Sequence, residues 1–492
     1  MMRGLTLRHV WVAITLAAAF IGPASNPLGL SDVLWSLLRG KWMAEHGTLI
    51  TTDPFTSAPH IGGQLLNLQW LADLAFHALD ALGGLPMVIT GTALVVAMTY
   101  GLLLLATDTA SGHLRLSCLA VFAAYAVGAS NLSPRPQTLA YPLFAVFLLA
   151  VVRAEWRKDT RLFWLLPLVT VVWANVHGSF FTGWALLGCA ALGRVLETRN
   201  LWSARPYVIT LAACVAASAI TPAGIGSLTY LATMSGNQIV RDYVTEWAPT
   251  SFGLTEGPLF FGAVAVLCGL MLKSRQRLTA FEIVLLLVFG YLAWSSVRAV
   301  VWFGLAMAPT MSRLLGGVLP SRTQVSSRNV PALNALIIAM IGGLVVMSLP
   351  QNKALLPILP TNKLGLFTPD TPVALAEYLR SHDPPPSGRM LNAQNWGGYL
   401  EWADWPRHQV FLDGRIELHP DQVWLDYVEI TYPTSRWRSL VDKYAVSYFV
   451  LDKTSQQSLI DDLRSDDAEW RLDYEDDQAV VFSRATPSAL AP

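Results

Sequence analysis

The chain has 492 residues, 53% of them hydrophobic and only 14% charged, with 34 basic and 34 acidic side chains and no net charge. Soluble domains carry roughly 25% charged residues, so the composition excludes an ordinary soluble protein, and the neutral balance gives no reason to expect a nucleic-acid partner. Cys118, Cys189, Cys214 and Cys268 all fall inside apolar runs, without CxxC or ligand spacing, and read as buried thiols.

The first apolar run, about 9–25, follows Arg3 and Arg8 and has no clear small-residue cleavage site, so it reads as a retained anchor. Behind it comes SDVLWSLLRGKWMAEHGTLITTDPFTSAPH, Ser31 to His60, too polar to cross a bilayer. A helix starting near Ser31 aligns Asp32, Ser36, Arg39, Met43 and His46 on one stripe and leaves Leu34, Leu38 and Trp42 to meet lipid or protein. Trp35 and Trp42 suit the bilayer interface. Asp32 has two readings, a helix N-cap on a surface helix or a general base at the mouth of a cavity. Asp53, before Pro54, is either a second functional acid or part of an Asp-Pro turn. Asp32 and Asp53 offer oxygen ligands for a divalent cation, but no close DxD pair accompanies them. The cofactor is left open and no metal ligand is assigned.

Leu65 to Leu82 carries Asp73, His77 and Asp80, each costly at mid-bilayer. It is expected outside, as a membrane-surface or partly re-entrant helix; an extra span is the alternative. Further runs near the ~20-residue span length fall at about 85–107, 114–130, 136–153, 162–176, 178–194, 206–221, 257–272, 279–296, 298–315 and 331–349. About eleven spans result. The positive-inside rule sends Arg153/Arg157/Lys158/Arg161, Arg194/Arg199/Arg205, Lys273/Arg275/Arg277 and Arg313/Arg322/Arg328 to the cytoplasm. Loop 221–256 and everything after Pro350 are then outside.

Beyond Pro350 the chain becomes more charged. The expected division is a transmembrane catalytic domain over 1–350 with a first outside loop at 25–84, a linker at 351–388, and a periplasmic or extracellular α/β domain at 389–492. RMLNA, QVFLDGR and VSYFVLDK read as strands, and AEWRLDYEDDQAVVFSR as a hairpin turned at Asp476–Asp477. Asp413-Gly414-Arg415 and Trp396-Gly397-Gly398-Tyr399 read as a turn and a tight loop.

Three outside joints carry polar groups beside span ends: Arg135 and Gln137 in SPRPQ, Asn175 and His177 in WANVHGS, and Arg298 after Ser295-Ser296. Any of them could snorkel, but several from different spans on one side favour a shared anionic site. A guanidinium fork suits phosphate, and Arg241 and Glu246 could close the site from above.

SDVLWSLLRGKWMAEHG followed by TTDPFT resembles the first outside loop of the type C (GT-C) glycosyltransferase superfamily. There an Asp just after the first span is followed by an interfacial helix and an Asp-Pro-like turn. QWLADLAFHALDALGG is similar to the surface helix of that loop, and SPRPQ, WANVHGSFFTG, TEWAP and VFLDGR are similar to bacterial members. The resemblance implies a polytopic α-helical membrane protein with an extracytoplasmic α/β domain. It also implies an inverting hexosyl- or pentosyltransferase of the inner (plasma) membrane and cell envelope. Asp32 falls on the superfamily's catalytic acid and would act as general base, with Asp53 and His177 as further participants. Arg135, Gln137, Asn175, Arg241, Glu246 and Arg298 would bind a polyprenyl-phosphate sugar donor, set among membrane lipid, for a glycan, lipid or protein acceptor. SPRPQ stands where oligosaccharyltransferase subunits carry a DxD-like motif, and WWDYG is missing, which favours a monosaccharide transferase. The alternative is a transporter or flippase of a lipid-linked glycan. That reading needs polar or broken-helix features on both membrane sides, whereas here they gather on one.

Overall fold

The computed structural model describes residues 4–62, 67–229, 245–318, 329–356, 358–381 and 388–485. Contacts divide the chain into two compact units, Met1–Asn26 with Leu79–Leu364, and Pro27–Ala78 with Gly365–Pro492.

In the first unit, proline sets many helix starts. It occupies the first turn of α5 (Pro136–Arg157), α6 (Leu166–Val176), α8 (Arg205–Ala217), α9 (Gly257–Lys273) and α12 (Pro331–Met347), where its missing N–H costs nothing. Before α10 (Ala280–Ser295), Thr279 accepts the Glu282 N–H and Glu282 accepts the Thr279 N–H in return. The remaining helices are α1 (Leu7–Ser25), the later part of α3 (Trp70–Ser111), α4 (Leu114–Gly128), α7 (Phe181–Thr198) and α11 (Val300–Val318). Among the described residues six helices are long and apolar enough to cross a membrane, and five shorter ones are apolar. Buried side chains run along almost all of α5 and α11. Tyr141 and Phe144 meet Trp302 edge-on there, and Trp173 packs against Phe144 and Phe147. On α12 the buried residue is Asn334, so this helix presents apolar side chains outward, as a lipid-facing helix does. All four cysteines are free; Cys268 corrects the expectation of burial, because it lies on the exposed side of α9.

The expected helix Leu65–Leu82 is the start of α3, from Trp70; Leu65 and Leu66 lie outside the described residues. Gly83 and Gly84 break α3, with Gly84 in the left-handed region at φ 66° that a side chain would strain.

The second unit joins the first loop to the C-terminal α/β part. A four-stranded sheet runs in the order β1-β2-β4-β3, from β1 (Arg389–Asn392), β2 (Val446–Asp452), β3 (Trp470–Glu475) and β4 (Ala479–Arg484). β1 lies parallel to β2, and the other pairs are antiparallel. The expected hairpin is β3–β4, turned where Asp476 accepts the Gln478 and Ala479 N–H groups. The expected strand QVFLDGR is not one. The buried Asn392 side chain binds the backbone of Phe411 and Leu412 instead, and Val410 bridges Thr56 of the first loop.

α2 (Val33–His46) is also buried on more sides than its pattern suggested. Leu34, Trp35 and Leu38 are buried along with Ser36, Arg39 and Met43, because α14 (Gly397–Asp404), which follows α13 (Val373–Ser381), and the start of α3 pack against the helix. Gly40 makes the second of these approaches possible: a Cβ there would stand 2.1 Å from the Asp73 carbonyl oxygen. Gly40→Ala should therefore cost about 1–3 kcal/mol by overpacking, read as a lower melting temperature of the purified protein; an unchanged melting temperature would contradict this packing.

Candidate functional site

Each unit holds an arrangement of charge, half-buried in the first and buried in the second. In the first unit it forms where α5 begins, α6 gives way to α7, and α10 gives way to α11. The β-branched and aromatic span residues end at these joints, and polar residues take over the turns. Arg135 and Arg298, from two such joints, share one carboxylate: Arg135 Nη2 lies 2.8 Å from Glu246 Oε1, and Arg298 Nη1 lies 3.9 Å from Oε2. Arg298 Nε donates to Gln137 Oε1 at 2.6 Å, and the Gln137 amide donates back to the Arg298 carbonyl at 3.3 Å. Trp247 lies under the Arg298 guanidinium at 5.8 Å. Ser296 donates to the Glu246 carbonyl and the Val297 N–H to that of Ala248, which fastens the segment carrying Glu246 to the α10–α11 joint.

His177 completes this cluster, with Nε2 3.3 Å from Arg298 Nη2 and Nδ1 2.9 Å from Ser179 Oγ. The Ser179 N–H donates to Nδ1 at 3.1 Å, and Trp173 Nε1–H donates to Ser179 Oγ at 3.0 Å. Burial first, then Arg298 and Arg135, hold the imidazole pKa well below its ordinary value, so His177 is neutral at pH 7. Burial raises the Glu246 pKa, but the two guanidinia outweigh it and hold the carboxyl below the usual range. Among the described residues, two guanidinia therefore meet one carboxylate here.

Asn175 has a different job: its amide donates to the Val171 and Ile220 carbonyls at 2.8 and 2.9 Å, tying the end of α6 to the segment after α8. Arg241 lies outside the described residues.

In the second unit, Arg415 is the centre. Its Nη1 donates to Asp53 Oδ1 at 2.8 Å, its Nη2 to the two Glu401 oxygens at 3.1 and 3.2 Å, and its Nε to Asp413. The Arg415 side chain is 2% exposed and lies over the Trp35 ring at 5.6 Å. Asp53 Oδ2 also accepts the Thr56 N–H at 2.9 Å and the Thr56 hydroxyl at 2.7 Å, with His60 Nε2 3.6 Å away. Burial raises the Asp53 pKa, yet Arg415, His60 and Thr56 overcome it and hold the carboxyl far below its ordinary range. Glu401 goes the other way: burial, with Asp413 and Asp53 nearby, pushes it well above its ordinary value against the pull of Arg415. On α2 and α3, Arg39 pairs with the buried Asp73 at 3.1 Å.

Asp32 immediately precedes α2, and its carbonyl accepts the Ser36 N–H at 3.1 Å. Its carboxylate is partly exposed, makes no capping bond, and has no hydrogen bond or ion pair among the described residues. No group of three His, Cys, Asp or Glu residues among the described ones is placed to hold a metal ion. Both Asp53 oxygens are engaged by Arg415 and Thr56, so Asp32 and Asp53 do not fit a shared divalent cation.

No protein-family profile matches the chain, and no curated protein matches it. Solved structures do. The archaeal oligosaccharyltransferase AglB from Archaeoglobus fulgidus, in complex with an inhibitory peptide and a dolichol-phosphate, is similar at 12% identity. It covers 98% of this chain and 75% of its own, with a TM-score of 0.56. ArnT from Cupriavidus metallidurans bound to undecaprenyl phosphate is similar at 13% identity, covering 98% of this chain and 99% of its own, with a TM-score of 0.55. This chain has the GT-C fold. The same ArnT in the apo state gives a TM-score of 0.55 at 14% identity. AglB and ArnT are GT-C membrane glycosyltransferases, so the GT-C architecture expected from the first loop is the one found.

The raised Glu401 pKa makes a signed prediction. A carboxyl raised in the folded state contributes stability that is fully present below the unfolded pKa of about 4.3 and is lost as pH rises through the folded value. Glu401→Gln keeps the shape and cannot ionise, so its stability relative to wild type should grow as pH rises above that range. Melting curves from pH 4 upward measure it; a variant that loses ground to wild type with rising pH would contradict the assignment.

Proposed function

We propose that the chain is a membrane glycosyltransferase that moves a sugar from a polyprenyl-phosphate-linked donor to an acceptor on the extracytoplasmic side. The observation carrying this reading is the half-buried cluster in which Arg135 and Arg298 converge on Glu246 beside neutral His177. Support also comes from the fold, shared with an ArnT that holds undecaprenyl phosphate and an AglB that holds a dolichol-phosphate.

The chemistry asks two things of the protein. Negative charge builds on the departing phosphate as the anomeric C–O bond breaks, and donors fixed beforehand stabilise it. Arg298 and Arg135 supply charge-assisted bonds. His177 has two proton arrangements. In one, Nδ1–H donates to Ser179 Oγ and Nε2 accepts from Arg298, at the cost of the Ser179 N–H bond to Nδ1. In the other, Nδ1 accepts from the Ser179 N–H, and Nε2–H and the Arg298 N–H are two donors facing the same space. A phosphate oxygen favours the second arrangement, because it accepts from both.

The second need is a base. The acceptor hydroxyl oxygen attacks the anomeric carbon, the polyprenyl phosphate leaves with the bonding electron pair, and the hydroxyl proton must go elsewhere. We assign that proton to the Asp32 carboxylate, since Asp53, Asp413 and Glu401 are committed to Arg415. Asp53 then positions the loop instead of reacting. The positive-inside distribution of basic loops supports an extracytoplasmic site.

Transfer from a synthetic polyprenyl-phosphate sugar by the purified protein tests both roles. Asp32→Asn should reduce turnover by about a hundredfold or more, and Arg298→Ala should weaken use of the donor about tenfold with little effect on the acceptor KM. Wild-type turnover in Asp32→Asn would remove it as the base. An intact donor moved across vesicle membranes would replace the enzyme with a transporter.

A further inference from the structure

At the other end of α5 from Arg135 lies a cavity of about 810 Å³, lined by Thr109 and by the 153–161 turn with Arg153, Arg157, Lys158, Asp159 and Arg161. The 22 residues of α5 rise about 33 Å, close to the ~30 Å thickness of a bilayer's hydrocarbon core. This cavity and the Arg298 cluster therefore sit at opposite membrane boundaries.

The turn is fixed by its own hydrogen bonds. Lys158 adopts a left-handed backbone (φ 56°) and returns its N–H to the Arg153 carbonyl, as does Asp159 at 3.2 Å. The Lys158 ammonium donates to the Glu155 carbonyl at 2.6 Å, capping the negative end of the helix. Asp159 accepts from Arg153 Nη2 at 3.0 Å and from the Arg161 N–H at 3.1 Å. One helix end, worth about half a charge, takes Lys158, and one carboxylate takes Arg153. Arg157 and Arg161 remain; Arg161 meets Asp159 only at 3.9 Å, with its side chain 93% exposed. Neither helix capping nor the local acid accounts for these two guanidinia.

We propose that this cavity binds a phosphate group at the membrane boundary opposite the Arg298 cluster, carried either by an anionic phospholipid or by a soluble phosphate. Guanidinium forks grip phosphate oxygens in pairs. The volume exceeds what a bare phosphate needs and falls in the range of about 300–1,000 Å³ that holds a molecule of headgroup size or larger. The site is independent of the sugar-transfer reading, since it shares no side chain with it.

The test is native mass spectrometry of the full-length protein in detergent with phosphatidylglycerol, phosphatidylcholine or pyrophosphate. Wild type should retain phosphatidylglycerol about tenfold better than phosphatidylcholine, and R157Q/R161Q should lose about tenfold in that retention. Those two substitutions leave the Arg153–Asp159 pair and the Lys158 cap in place. R157Q/R161Q should lose the same retention in an Arg298→Ala background as in wild type, which separates the cavity from the donor site. Pyrophosphate bound by wild type and lost in R157Q/R161Q, with no preference between the lipids, would make the ligand soluble. Equal retention of both lipids without pyrophosphate binding, or R157Q/R161Q behaving as wild type, would overturn the proposal.

Discussion

Arg415 is a charge almost wholly removed from water, and such a charge costs several kcal/mol unless partners replace the solvent. Its partners come from three places: Asp53 in the first loop, Glu401 on α14, and Asp413 two residues away. Because the cost of leaving any of them unpaired is high, the loop and the C-terminal part hold one register against each other. The Thr56–Val410 bridge, the Ser57 N–H to Val410 carbonyl bond and the Pro59 carbonyl accepting from His419 follow from that register. α2 is then enclosed by α14 and the start of α3, and the position of Asp32 at its head is set by the same packing.

The first unit treats charge differently. Its buried Glu282 is matched by Arg313 in bonds of 2.8 and 3.0 Å, an ion pair that adds up to zero. At Glu246, among the described residues, two guanidinia meet one carboxylate and the nearby imidazole is neutral. Guanidinia converging at the ends of apolar helices suit an anion from the membrane, and a lipid phosphate is such an anion.

Arg135, Gln137, His177 and Arg298 could be read from the sequence because each stands where one long apolar run breaks off before the next, and Glu246 because it lies in the polar 221–256 loop beside them. Arg135, Gln137, His177, Glu246 and Arg298 are brought together by the helix joints that separate the runs. Asn175 stood in the same kind of joint, yet it serves the chain's own carbonyls; sequence spacing does not distinguish the two uses. Arg415 was legible only as part of an Asp-Gly-Arg turn, and nothing in the sequence singled out Glu401. Their partner Asp53 lies 362 positions from Arg415, and a pairing at that distance leaves no local pattern. The same reason explains α2: Leu34 and Leu38 look free to meet lipid until distant segments cover them.

The central claim is that Arg298, Arg135 and His177 receive the phosphate of a polyprenyl-linked donor. An experimental density map of the protein in a lipid nanodisc with a polyprenyl phosphate tests it most directly. The account predicts phosphate density within ~3 Å of Arg298 and His177, with the contact between Arg298 and Glu246 opened. A phosphate seated away from both arginines, with that contact intact, would contradict it.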